Sequence, residues 1–115
     1  MLTPLLAAAL ALQAAPAAPP ALSLENRALL RCSAAFALVA EGQAKGNDAA
    51  KKWPPVGVRG REFFVRSLAR LMDATGLDRN GISQLVGAEA QAIWDNGEVD
   101  KVMPACLVML GASGV

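Results

Sequence analysis

The sequence predicts an all-α protein: a small bundle of three longer helices and a short C-terminal one, tied by a disulfide and preceded by a cleaved N-terminal signal. Three observations support this prediction. Apolar residues recur at helical spacing from Ser23 onward, and no stretch shows the sustained apolar and polar alternation of a strand. Glycine, proline and asparagine residues divide this region into four segments. Two cysteines lie in the first and the last of these segments.

Composition limits the functions that the chain can have. Its 115 residues are enough for one domain, and 11 Lys and Arg against 10 Asp and Glu give no general attraction to nucleic acid or anionic membrane. The chain contains neither histidine nor tyrosine, so it lacks the usual general base near neutral pH. No phosphate loop, dinucleotide fingerprint, nucleophile elbow or zinc motif is present. We therefore predict a non-enzymatic protein without cofactor or metal.

Residues 1–17 have the order of a secretory signal, in which an uncharged apolar stretch is followed by small residues. Cleavage is expected after Ala17 or, alternatively, after Ala14. Residues 18–22 would then form a flexible Ala/Pro segment before a single helical domain over residues 23–115. An N-terminal membrane anchor is the other interpretation, but the apolar stretch is shorter than the roughly 20 residues of a spanning helix.

Cys32 and Cys106 are predicted to form a disulfide. Exported proteins meet an oxidising environment, where two cysteines in a short chain usually pair. The two residues are 74 positions apart, so the bridge would tie the first helix to the last. Two buried free thiols are the alternative, whereas a redox-active pair is not expected because no CxxC motif is present.

Capping residues and helix breakers give the limits of the helices. Ser23 is a suitable N-cap for a first helix that runs to about Lys45, and the wide apolar surface of this helix predicts a central position. A Trp-Pro-Pro motif predicts an irregular segment within residues 47–60.

The remaining three helices follow this irregular segment. The second is expected from about Val58 to its left-handed C-cap, Gly76. Asp78 is expected to cap the third helix. The last helix should be short, with Pro104 in its first turn.

Phe63 departs from the pattern of the second helix, because it lies on the side of the arginines and not on the side of Leu68 and Leu71. Aromatic rings and guanidinium groups together bind anionic or apolar partners by stacking and paired hydrogen bonds. The candidate partner-binding surface comprises Trp53, Arg59, Phe63, Arg66 and Arg70. The alternative is that Phe63 folds over the Trp-Pro-Pro loop while the arginines are solvated or paired, as Arg66 can be with Glu62.

Two charges lie on the apolar sides of their helices, Arg61 on the second helix and Glu89 on the third. We predict that they form a buried ion pair across the contact between these helices, with a structural role. Removing one partner of such a pair typically costs roughly 3–5 kcal/mol. The alternative is an unpaired Glu89 carboxylate in a cleft, which would accept a proton or contact a cation.

The segment Leu68–Gly87 contains two predicted helices joined at Gly76. Its packing and turn residues are Leu71, Thr75, Gly76, Leu77, Ile82 and Leu85. With this spacing the segment resembles a DNA-binding helix-turn-helix, although Met72 replaces a residue that is usually small. The resemblance implies contacts to DNA bases by Arg79, Asn80, Ser83 and Gln84.

These observations favour a small periplasmic or secreted protein with a non-enzymatic binding, inhibitor or accessory function. The expected partner is an unknown protein or an anionic or apolar ligand, and no membrane span is expected in the mature chain. Nucleic acid is not expected as a partner, because the domain is nearly neutral and an exported protein does not meet DNA. The alternative is an intracellular DNA-binding protein that uses Leu68–Gly87.

Overall fold

The computed structural model describes residues 21–115. They form five helices: α1 (Leu24–Ala44), α2 (Asp48–Lys51), α3 (Arg59–Thr75), α4 (Arg79–Asp95) and α5 (Val99–Ala112). The predicted all-α fold is confirmed, and the four-residue α2 is an additional element within the segment expected to be irregular. The predicted signal over residues 1–17 lies outside the described residues.

Helix α1 is the centre of the bundle and contacts each of the other four helices. It begins as predicted, because the Ser23 hydroxyl oxygen accepts a hydrogen bond of 3.1 Å from the Asn26 N–H. Ala34 and Ala35 are completely buried on α1, and their small side chains let the neighbouring helices approach closely. The central position predicted from the wide apolar surface is therefore confirmed.

Local capping sets the corner between α3 and α4. Gly76 ends α3 in the left-handed conformation, with φ at 72°. The Asp78 carboxylate then accepts a hydrogen bond of 2.8 Å from the Gly81 N–H and caps α4. Both caps agree with the sequence prediction.

The Gln43 side chain organises the segment between α2 and α3. Its amide nitrogen donates to the backbone carbonyls of Ala50, Trp53 and Pro54 at 3.2, 3.2 and 2.9 Å, and its oxygen accepts from the Val56 N–H at 3.2 Å. This one side chain therefore binds four backbone groups of a loop in which the two prolines have no N–H to donate.

We expect Gln43→Leu to lower the free energy of unfolding by about 2–3 kcal/mol, because it leaves the part-buried Trp53 carbonyl and Val56 N–H without a partner. Urea denaturation measures this change. Gln84→Leu is the matched control, since Gln84 is exposed on α4 and its replacement should change the free energy by less than about 0.5 kcal/mol. Equal midpoints for the two variants would contradict the role given to Gln43.

Helix α5 is longer than predicted. It has 14 residues and begins at Val99, so Pro104 lies in its interior and not in its first turn. Val102 and Met103 are buried before the proline, and their burial stabilises the early turns. Packing thus outweighs the single backbone hydrogen bond that Pro104 removes.

The disulfide between Cys32 and Cys106 is confirmed. It joins α1 to α5 with 5.2 Å between the Cα atoms, and both residues are buried. None of the helices within residues 21–115 combines the length and the apolarity needed to cross a membrane.

Candidate functional site

Helix α3 packs through a face that overlaps the predicted one at Leu71 but is displaced from it around the helix. Its buried residues are Gly60, Phe63, Ser67 and Leu71. Phe63 is only 4% exposed and meets the ring of Phe36 edge to face at 5.3 Å between centroids, whereas Val65 is 59% exposed. A Cβ atom on Gly60 would lie 3.3 Å from that of Phe36, so the glycine permits the close packing. Phe63 is therefore a core residue and not an exposed aromatic side chain, and its contact with a partner stays a prediction.

A groove lies between α1, α3 and α5, on the arginine side of α3; we call it the α3 groove. It has a volume of about 350 Å³. Its principal side chains are Leu29, Phe63, Met109, Arg66, Ser67 and Arg70. The first three form an apolar floor, and the two guanidinium groups stand at the rim. This distribution is typical of ligand pockets, which are mainly apolar with a few polar groups.

Both rim arginines pair with carboxylates of the chain itself. Arg70 Nη2 lies 2.8 Å from Glu25 Oε1, and Arg66 Nε lies 3.4 Å from Glu62 Oε1. All four side chains are more than half exposed. Exposed ion pairs contribute only about 0–1 kcal/mol, so an incoming anion can replace either carboxylate at small cost. The pairing of Arg66 with Glu62 considered from the sequence is confirmed.

The other two residues of the candidate surface lie differently. Arg59 Nε donates a hydrogen bond of 3.0 Å to the backbone oxygen of Val115, which also lines the groove. Trp53 is half-buried next to the core, with the Lys52 ammonium group 5.5 Å from its ring centroid, and it does not line the groove. The structure thus brings three predicted residues into the groove, adds Arg59 at its edge and leaves Trp53 outside.

The sequence did not indicate three groove residues: Leu29, Ser67 and Met109. Ser67 carries a detectable signal, because it is four positions from Phe63 and therefore shares its helix face. Leu29 and Met109 come from α1 and α5, and no local pattern connects those helices to the arginines.

The predicted ion pair between Arg61 and Glu89 is wrong. Arg61 is exposed, and the Glu89 carboxylate instead lies 3.9 Å from Arg31 on α1. Arg31 also pairs with Glu98, just before α5. Because α3 and α4 pack mainly against α1 and touch each other little, a residue of α1 is in reach of Glu89 and Arg61 is not.

We expect Glu89→Gln to lower the free energy of unfolding by less than about 1 kcal/mol, because its partner Arg31 is 44% exposed. Thermal or urea denaturation measures the change, with Arg61→Gln as the control at the other predicted position. A loss of about 3–5 kcal/mol in Glu89→Gln would instead indicate a buried pair and contradict this arrangement.

The corner that resembles a helix-turn-helix is present in the fold. The Thr75 hydroxyl donates to the Leu71 carbonyl at 2.7 Å and accepts from the Leu77 N–H at 3.1 Å, which fixes the turn. The four residues implied to contact bases are all exposed: Arg79, Asn80, Ser83 and Gln84. Whether they bind DNA stays a prediction.

A second hollow of about 350 Å³ lies between α1, α2 and the region where α4 meets α5, beside the exposed Trp94. At its rim the Lys45 ammonium group donates a hydrogen bond of 2.7 Å to Glu41 and lowers the pKa of that carboxyl. This hollow has no arginine among its lining residues, which distinguishes it chemically from the α3 groove.

Metal ligands do not cluster in the part of the chain that the structure describes, where no three acidic or cysteine side chains come together as a metal site.

No family model matches the chain, and no significantly similar protein is found among curated sequences or solved structures.

Proposed function

We propose that this protein is a small exported binding protein, periplasmic or secreted, without enzymatic activity. In this proposal it acts as a binding, inhibitor or accessory module that holds its partner in the α3 groove. The order of residues 1–17 supports export. The buried disulfide is compatible with an oxidising compartment.

The observation that carries the binding proposal is the combination of an apolar floor with two guanidinium groups in one groove. Leu29, Phe63 and Met109 offer apolar contact, while Arg66 and Arg70 offer planar donors to an anion. A partner with an apolar part next to a negative charge would satisfy both components. This refines the surface expected from the sequence, because its aromatic residue forms the floor and its arginines form the rim.

Site-directed photo-crosslinking in the producing cell tests the proposal. A photoreactive residue at Ala112, which lines the groove, should yield an adduct that intact-protein mass spectrometry detects. The double variant Arg66→Glu/Arg70→Glu should lose this adduct, since charge reversal repels an anionic partner. The matched control is Arg27→Glu/Arg79→Glu, in which two exposed arginines outside the groove are reversed.

The deciding measurement is the amount of crosslinked adduct that each of the two double variants forms. Circular dichroism must first show that both retain the helical fold. Equal adduct formation in the wild type and in both variants would reject the α3 groove as the binding site. A photoreactive residue at Trp94, beside the hollow between α1 and α2, reports whether binding occurs there instead.

The second candidate function is intracellular DNA binding through Leu68–Gly87, supported by the exposed residues on the first turns of α4. Its test is an electrophoretic shift with random duplex DNA at physiological salt. If the protein shifts DNA and Arg79→Ala abolishes the shift, the result would favour DNA binding over the exported binding protein. We expect no retention, because the chain has a net charge of only +1.

A further inference from the structure

We infer that the α3 groove binds small amphipathic monocarboxylates, and that Glu25 occupies the carboxylate position while the groove is empty. This inference rests on the proposed function and deepens it by naming the class of ligand. It also assigns Glu25 a role as an internal competitor for Arg70.

The position of Glu25 is the first argument. This carboxylate comes from the first turn of α1, lines the groove and accepts a hydrogen bond of 2.8 Å from Arg70 Nη2. The guanidinium group is therefore already oriented toward a carboxylate at the rim. A ligand carboxylate can take the same place without any rearrangement of the backbone.

The ion pair between Arg70 and Glu25 is exposed to solvent. The side chains of Arg70 and Glu25 are 55% and 66% exposed, so their pairing is weak. A displaced Glu25 is not left in an unfavourable place, because water solvates it and the N-terminal end of α1 favours negative charge there. The ligand thus exchanges one exposed ion pair for another and gains the apolar contact in addition.

Ser67 supplies a further polar group at the same place. It shares the buried helix face of Phe63 and is only 4% exposed, yet it lines the groove together with Arg66 and Arg70. Ser67 and Ser33 are the two buried polar residues among residues 21–115. A hydroxyl donor deep in the groove can bind the second oxygen of a carboxylate that Arg70 holds at the rim.

The apolar floor and the volume of the α3 groove limit the shape and the size of the apolar part of the ligand. Leu29, Phe63 and Met109 favour an alkyl chain or a single ring, and methionine adapts readily to either shape. The volume of about 350 Å³ is near the lower end of the range for ligand pockets, about 300–1,000 Å³. A medium-length fatty acid meets both requirements, so decanoate is a suitable probe.

Isothermal titration calorimetry with decanoate, below the concentration at which it forms micelles, tests the inference on the oxidised protein. Glu25→Gln should bind decanoate roughly two- to five-fold more tightly than the wild type, because the internal competitor is removed. Arg70→Gln should bind it more weakly. Glu41→Gln, which removes an exposed ion pair outside the groove, should leave the affinity unchanged. The neutral analogue decanol should bind with the same affinity to Glu25→Gln and to the wild type.

Each result separates the inference from the proposed function. Decanoate binding that Arg70→Gln weakens and Glu25→Gln leaves unchanged would overturn the role of Glu25 and preserve binding in the groove. An absence of binding to both the wild type and Glu25→Gln would overturn the ligand class, while the crosslinking experiment decides the proposed function independently. If decanol and decanoate bind equally in all variants, the carboxylate is not recognised and the inference is wrong.

Discussion

Replacing Cys32 and Cys106 together with alanine is expected to lower the free energy of unfolding by about 4 kcal/mol. The bridge closes a loop between residues 74 positions apart, and in the chain-entropy model a loop of this length stabilises by about that amount. Small domains have net stabilities of only about 5–15 kcal/mol, so the variant should lose a large fraction of its stability.

Urea denaturation of the oxidised wild type and of the double variant measures this effect. The wild type unfolded and refolded in the presence of a thiol reductant is the control, and its midpoint should approach that of the variant. Reductant must be present during unfolding because both cysteines are buried. Equal midpoints for the oxidised protein and the variant would show that the bridge does not stabilise the bundle.

Phe63→Ala is expected to lower the free energy of unfolding by about 3–5 kcal/mol. The ring is buried against Phe36, and truncation of a buried phenylalanine loses apolar burial and leaves a cavity between α1 and α3. The adjacent Phe64 is half-buried, so Phe64→Ala is the matched control and should cost clearly less.

Thermal and urea denaturation of the two phenylalanine variants measure the difference. A loss below about 1 kcal/mol for Phe63→Ala would indicate that the ring is on the surface, as the sequence pattern predicts, and would contradict the packing of α3 described above. The same variant enlarges the floor of the α3 groove, so ligand affinity must be compared only under conditions in which it is folded.

Features with a local chemical cause could be predicted from the sequence. The Ser23 and Asp78 caps and the left-handed Gly76 follow from the side chains at those positions, and the structure agrees with each. The pairing of the cysteines could be predicted because the chain contains only two.

Features that depend on tertiary packing could not be predicted from the sequence. The buried face of α3 includes Gly60 and Ser67, two small residues that a hydrophobic pattern does not weight, so the predicted face shares Leu71 with the observed one but is displaced from it around the helix. Arg61 was consequently placed next to Glu89, although α3 and α4 both pack mainly against α1, which supplies Arg31 as the partner of Glu89. The start of α5 was missed because burial of Met103 outweighs the proline that follows it.

The α3 groove illustrates both cases. Its two arginines could be identified because they share one helix face with Phe63. Its floor depends on Leu29 and Met109, which the fold and the disulfide bring together from opposite ends of the domain. Their proximity is a property of the bundle and has no signal in either local segment.

The most direct test of an exported binding protein is the intact mass of the natural protein, recovered from fractionated cells and measured under non-reducing conditions. We predict a protein outside the cytoplasm that lacks residues 1–17, or 1–14, and that is lighter by two hydrogens because Cys32 and Cys106 are joined. A full-length, reduced protein in the cytoplasm would contradict export and would favour the DNA-binding alternative.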